Sequence, residues 1–224
     1  RQRYVVKWNS TSLYNGYSSD SIASIFSELT QASPNKPCIY DGGLVWSRNE
    51  VYNLAVSIQQ IILSERIPPN QIVGLILNKS VEQVAAVIAL NGLGHSFVPI
   101  DPDCPDQRMT SILETTASRL ILTNSSSATL QRTLTQLKVI DLSEIATTSE
   151  VSQKRRKKLR IDGLPEDNCY VCFTSGSTGV PKGVVVTNRN LMSLFHAHSQ
   201  YFLINEKSRI LSTLGFYFDA GIGE

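Results

Sequence analysis

The chain has 224 residues, of which 42% are hydrophobic and 18% charged, with a formal net charge of +2. That balance can bury a core in one large or two small domains. It excludes an extensively disordered chain and a strongly basic nucleic-acid binder. No apolar stretch reaches the roughly 18 residues that span a bilayer, so no membrane association is expected; no signal peptide is visible, the chain starts without a methionine and leaves targeting signals upstream open, and a cytoplasmic setting is the expectation.

Residues 1–19 carry scattered aromatics without a period and read as a linker after an upstream domain; residues 20–224 read as one domain cut short, since the chain opens on Arg1 and stops at Glu224 behind a Gly-rich turn. A helix is predicted from Asp20, with Ile22, Ile25, Phe26 and Leu29 at helical spacing and Pro34 beyond its end. Asp41-Gly42-Gly43 marks a hairpin. Ser47 and Glu50 form a capping-box pattern ahead of Val51, Leu54, Ala55, Ile58, Ile61 and Ile62, the apolar face of a second helix. Ile72 to Leu77 has strand length, and Ser80 with Gln83 predicts another capping box opening a helix through Leu90. Ser96 to Ile100, Leu120 to Thr123 and Lys138 to Leu142 read as further strands, with a weaker helix over Gln107 to Thr116. Alternating strands and helices predict an α/β fold of layered sheets with flanking helices. In such sheets ligands bind beyond the carboxyl ends of the strands.

Cys169 and Cys172 form a CxxC pair, but no second pair and no histidine cluster completes a zinc site. Three apart on a strand, the two thiols are expected to diverge and to serve as buried packing groups. Lys154-Arg155-Arg156-Lys157-Lys158 with Arg160 reads as a solvated surface run; nucleic-acid recognition is the competing reading, and its mark would be salt-sensitive affinity. His196 and His198, two apart on a predicted helix starting near Asn188, do not share a face and form no joint metal site.

The chemistry concentrates in Tyr170-Val171-Cys172-Phe173-Thr174-Ser175-Gly176-Ser177-Thr178-Gly179-Val180-Pro181-Lys182-Gly183-Val184. An apolar strand runs into six consecutive small residues, Thr174 to Gly179, and returns to a strand after Lys182. Glycines let a ligand approach the backbone, successive N–H groups can form an anion-binding nest, hydroxyls add donors, and the lysine adds a full charge. Such a loop suits a polyphosphate. It is not a Walker loop, because Pro181 precedes the lysine, Gly183 follows it, and a strand comes next instead of a helix.

Phe173 to Val184 resembles the signature loop of the adenylate-forming superfamily, which includes acyl-CoA synthetases, luciferases and the adenylation domains of nonribosomal peptide synthetases. Three other segments are similar to motifs of the last group in the expected order. They are Leu44 to Val51, Leu93 to Pro102, and Phe218-Asp219-Ala220 at the start of the substrate pocket. Trp8-Asn9-Ser10-Thr11 resembles the linker that follows a condensation domain. Departures are Asn188 where the family often has histidine, and Leu93 and His95 where small residues are usual.

The resemblance implies the incomplete large N-terminal subdomain of an adenylate-forming enzyme. Such an enzyme joins a carboxylic acid, here an amino acid, to ATP as acyl-AMP and passes it to the phosphopantetheine of a downstream carrier-protein domain. It assigns Thr174, Ser175, Gly176, Ser177, Thr178, Gly179, Lys182 and Gly183 to the phosphates, with Thr174 and Lys182 as catalytic residues and Mg2+ sharing the charge. No protein residue is assigned as a metal ligand. Asp219 is expected to meet the substrate ammonium, its competing role being a helix cap, and Ala220 and Gly223 to line the pocket. Competing readings are an acyl-CoA ligase, an aminoadipate-reductase-type adenylation module, and an inactive nucleotide-binding fragment.

Overall fold

Three helices open with reciprocal caps. Ser21 with Ser24, Ser47 with Glu50 and Thr187 with Asn190 each pair an N-cap side chain with the third helical residue, in both directions. Each box satisfies two of the backbone donors that a helix start leaves over. The computed structural model describes residues 21–124, 137–143, 145, 157–174 and 182–223. Residues 1–19, the linker expectation, lie outside them, as do Ser175 to Pro181 and Lys154 to Arg156 of the basic run.

In chain order the elements are α1 (Ile22–Ala32), β1 (Pro37–Asp41), β2 (Leu44–Ser47), α2 (Arg48–Ser64), β3 (Ile72–Ile76), α3 (Val81–Gly92), β4 (Ser96–Pro99), α4 (Asp106–Thr115), β5 (Leu120–Thr123), β6 (Lys138–Asp141), β7 (Asn168–Thr174), β8 (Lys182–Thr187), α5 (Asn188–Tyr201) and α6 (Asp219–Gly223). β1 and β2 form the expected hairpin, and Gly42 and Gly43 turn it at φ of 55° and 85°, a left-handed pair that only glycine adopts freely.

The remaining strands form one sheet in the order β6-β5-β3-β4-β7-β8. All neighbours are parallel except β7 and β8, which pair antiparallel. From β3 the chain crosses to β4 on one side and then back to β5 on the other, so helices cover both faces. Val73, Leu75, Leu120, Leu122, Phe97 and Tyr170 face the layer of α1, α2 and α3, whereas Ile76, Val98 and Ile121 face α4. Two-sided burial explains why β3, β4 and β5 read as unbroken apolar runs. Ile58, Ile62, Ile88 and Leu90 are at most 2% exposed, and each contributes about 2 kcal/mol through burial.

Two expectations need correction. The Ser80–Gln83 box does not form. Ser80 Oγ instead accepts a hydrogen bond from Asn124 Nδ2 at 3.0 Å, Gln83 Nε2 donates to Leu77 O at 3.3 Å, and α3 runs on to Gly92. A neighbouring strand end outbids the local cap. Helix α1 starts at Ile22 with Ser21 as its cap, later than the expected Asp20.

Buried amides tie the segment before β7 to the helical layer. Gln59, fully buried, donates to Arg160 O at 3.0 Å and to Ala89 O at 3.1 Å, and accepts from Arg160 N at 2.9 Å. Asn91 accepts from Ala23 N at 3.0 Å and donates to Asn188 Oδ1 at 2.6 Å, while Asn188 Nδ2 donates to Leu164 O at 2.8 Å. Asn188, the departure from the family's histidine, is therefore a satisfied core amide. His95, the other departure, is buried. Its Nδ1 accepts from Gln71 N at 3.2 Å, and burial lowers its pKa below the ordinary 6.5.

Truncating Gln59 strands both backbone groups of Arg160. We expect Gln59→Ala to cost about 3 kcal/mol in urea unfolding, and an unchanged midpoint would contradict this role. His95 favours its neutral form in the folded state, so its contribution is present above the unfolded value of about 6.5 and is lost as pH falls through the lower folded value. Stability should therefore decline as pH falls below about 6.5, and His95→Gln should flatten that decline in pH-dependent thermal melts.

Candidate functional site

The β7–β8 hairpin places the charged residue of the signature segment. Cross-strand partners are Cys172 with Val184, Phe173 with Gly183, and Thr174 with Lys182. Thr174 and Lys182 thus stand opposite each other where β7 ends and β8 begins, and Thr174 Oγ1 donates to Lys182 O at 3.5 Å. The residues between them, Ser175 to Pro181, include the predicted Ser175, Gly176, Ser177, Thr178 and Gly179, and lie outside the described residues. Gly183 has a packing reason of its own. A Cβ there would sit 3.0 Å from Val171 Cγ1 and 3.2 Å from the Phe173 ring, so both side chains would have to shift slightly to admit it.

A second segment, from Gly215 to Gly223, lies against the same strand. Tyr217 O accepts from Cys172 Sγ at 3.8 Å, and the Tyr217 phenol bonds to Asp101, just past β4. The Asp101 carboxylate beside it raises the phenol's pKa. A Cβ on Gly221 would lie 2.2 Å from Gly215 O, so this turn closes only with glycine. It delivers Asp219 over β7, where Tyr170 Oη donates to Asp219 Oδ1 at 2.5 Å.

Asp219, Ala220 and Gly223 line one cleft of about 610 Å³, together with Leu194 and His198 of α5 and Arg209. The three residues expected at the substrate pocket are therefore neighbours in one cavity. Gly223 leaves it open toward α5, since a Cβ there would only touch Leu194 at 3.7 Å and His198 at 3.8 Å. His196 turns elsewhere, pairing with Gln200 at 2.8 Å. The two histidines take separate partners, as their spacing requires.

Cys169 and Cys172 are buried free thiols. They engage different neighbours, Asn91 Nδ2 at 3.9 Å and Tyr217 O at 3.8 Å. Both nevertheless belong to the helix-side core, because the β7–β8 register shifts between Asn168 and Tyr170 and breaks simple alternation. Burial raises Cys169 to about 12, an inert thiol. Sequence reasoning missed Tyr170 and Arg209. The Tyr170–Asp219 contact spans 49 residues, and no local period announces it.

Residues 26–224 match the AMP-binding enzyme family, and the chain belongs to it. Relatives include surfactin synthase subunit 1 of Bacillus subtilis, 30% identical over 200 residues that cover 89% of this chain and 6% of that protein. Nonribosomal peptide synthetase 8 of Aspergillus fumigatus is 33% identical over 196 residues, covering 85% of this chain and 2% of that protein. The chain thus spans a small fraction of the curated relatives it matches. Among solved structures, the nonribosomal peptide synthetase FmoA3 bound to alpha-methyl-L-serine-AMP superposes with a TM-score of 0.82 at 24% identity, over 99% of this chain and 24% of that one. The Klebsiella oxytoca NpsA N-terminal subdomain in complex with 3-hydroxyanthranilyl-AMSN gives 0.77 at 19% identity, over 91% of this chain and 49% of that one. Among the described residues no helix is long and apolar enough to cross a membrane.

Iodoacetamide at pH 8, read by mass spectrometry, should modify exposed Cys38 in the native protein and reach Cys169 only on unfolding. Equal native labelling of both would contradict the buried, inert assignment.

Proposed function

We propose that residues 20–224 form the N-terminal part of an adenylation domain that activates an amino acid as its aminoacyl-AMP for a nonribosomal peptide synthetase. The observation that carries the reading is the hairpin register. Thr174 at the end of β7 and Lys182 at the start of β8 are paired across the two ends of a sequence rich in glycine and hydroxyls, and β7 also carries Tyr170, which bonds to Asp219 at the cleft.

On this reading the substrate carboxylate attacks the α-phosphorus of ATP in line, the bond to the β-phosphate oxygen breaks, and pyrophosphate leaves. Backbone N–H groups of Ser175 to Gly179, the hydroxyls of Thr174, Ser175, Ser177 and Thr178, and Lys182 would hold the β- and γ-phosphates and stabilise the departing charge. Magnesium bound to the phosphates would supply further charge neutralisation. Asp219 would hold the substrate ammonium through a charge-assisted contact. Ala220 and Gly223 would border the side chain, and the open wall at Gly223 suits a larger one. The aminoacyl group would then pass to the phosphopantetheine thiol of a carrier domain, with AMP released. A condensation domain upstream and a carrier domain downstream are the partners this reading supplies.

The test is amino-acid-dependent ATP–pyrophosphate exchange by the intact enzyme across a substrate panel. Lys182→Ala should lower kcat/KM by about 100-fold or more, the usual consequence of removing one preorganised donor. Asp219→Ala should raise KM for the amino acid by roughly 10- to 100-fold, as loss of a hydrogen bond to a charged group does. Unchanged exchange in Lys182→Ala would refute the phosphate role. Deaminated analogues binding as tightly as the amino acid would refute the ammonium role and favour an acyl-CoA-ligase reading.

A further inference from the structure

We propose that Tyr170 is a positioning residue for substrate recognition, holding Asp219 in the orientation that meets the ammonium group. This rests on the reading of Asp219 given above. Tyr170 is 1% exposed, at the middle of β7 on the side facing the helical layer. Its ring stacks on Phe97 of β4, with centroids 5.7 Å apart and planes inclined by 27°, so its direction is fixed by two strands of the sheet. From that fixed ring the hydroxyl donates to Asp219 Oδ1 at 2.5 Å.

A buried phenol needs a partner for its hydroxyl, and a backbone carbonyl would suffice for packing alone. Here the partner is a carboxylate on an exposed residue at a cleft wall. The bond engages one carboxylate oxygen and restricts rotation of the group, leaving the other to address a ligand. Burial first, and then the neighbouring Asp219 carboxylate, raise the phenol's pKa, so it remains a donor throughout the working pH range.

The location adds a second consequence. Tyr170 and Thr174 lie on one strand, four residues apart. The strand that ends at the phosphate connection therefore also aims the ammonium contact. A rigid spacer between two half-sites fixes how the carboxylate of a bound amino acid lies relative to the nucleotide, which is where much of the rate of such a reaction originates.

The experiment uses the intact enzyme and pyrophosphate exchange, varying amino acid and ATP separately. Tyr170→Phe keeps the ring stacked on Phe97 and removes only the hydroxyl. Expected is an increase of about tenfold in KM for the amino acid, with KM for ATP and the saturating rate within about threefold of wild type. A deaminated analogue should bind Tyr170→Phe and wild type equally. If Asp219→Ala raises the amino-acid KM and Tyr170→Phe does not, the positioning role is overturned while the ammonium reading stands. If neither variant changes it, both fall together. A parallel loss of the melting temperature, both KM values and rate would show a structural role alone and would also overturn the proposal. Should Tyr170→Phe fail to fold, 3-fluorotyrosine at position 170 gives an independent readout. Its 19F resonance should shift on saturation with the amino acid and stay in place with the deaminated analogue. No shift with either would overturn the proposal.

Discussion

The antiparallel pairing of β7 with β8 is the constraint on which the rest of the site depends. In an otherwise parallel sheet, one strand turns straight back on its neighbour. A parallel successor would need a long crossover, whereas an antiparallel one returns through a short connection. That connection, Ser175 to Pro181, is thereby bounded at both ends by paired residues, Thr174 and Lys182. A lysine at the first position of β8 is thus registered against the last residue of β7 rather than left on a free loop. Gly183 leaves room for the Val171 and Phe173 side chains next to the lysine, since a Cβ there would press on both.

Strand β7 is itself held from several directions. It joins β4 through Phe97 and Tyr170, and Ser96 Oγ donates to Asn168 O at 2.8 Å. The segment leading into it is fastened to the helical layer by Gln59 and by the chain from Asn91 through Asn188 to Leu164 O. Satisfied buried amides of this kind specify one arrangement, because any alternative leaves a donor or acceptor without a partner. The Gly215–Gly223 turn then hangs on this prepared strand through Cys172 and Tyr170, and through Tyr217 on the end of β4. On the proposed reading, the two halves of the substrate, nucleotide and amino acid, are aligned by one fixed strand.

Much of the fold was legible in the sequence because its signals are local. The Ser47–Glu50 box, the apolar face from Val51 to Ile62, the two glycines of the first hairpin and the short apolar strands all report on neighbours within a few residues. Ser80 departs from its local pattern because Asn124, 44 residues away, claims its hydroxyl. Divergence of Cys169 and Cys172 requires regular alternation, which the register shift at the start of β7 interrupts. Of the candidate site, the strand–loop–strand pattern around Thr174 and Lys182 is readable from the residues themselves, whereas Asp219, Ala220 and Gly223 stand out only through the family resemblance. The role of Tyr170 was not, since its hydroxyl finds Asp219 only after the sheet and the Gly215–Gly223 turn are in place.

The central claim is that the β7–β8 connection and Lys182 hold the polyphosphate of ATP. A crystal structure of the intact enzyme with a non-hydrolysable ATP analogue addresses it most directly. The account predicts phosphate oxygens within hydrogen-bonding distance of backbone N–H groups between residues 175 and 179 and of Lys182 Nζ. An analogue bound elsewhere, with that connection turned away from its phosphates, would contradict it.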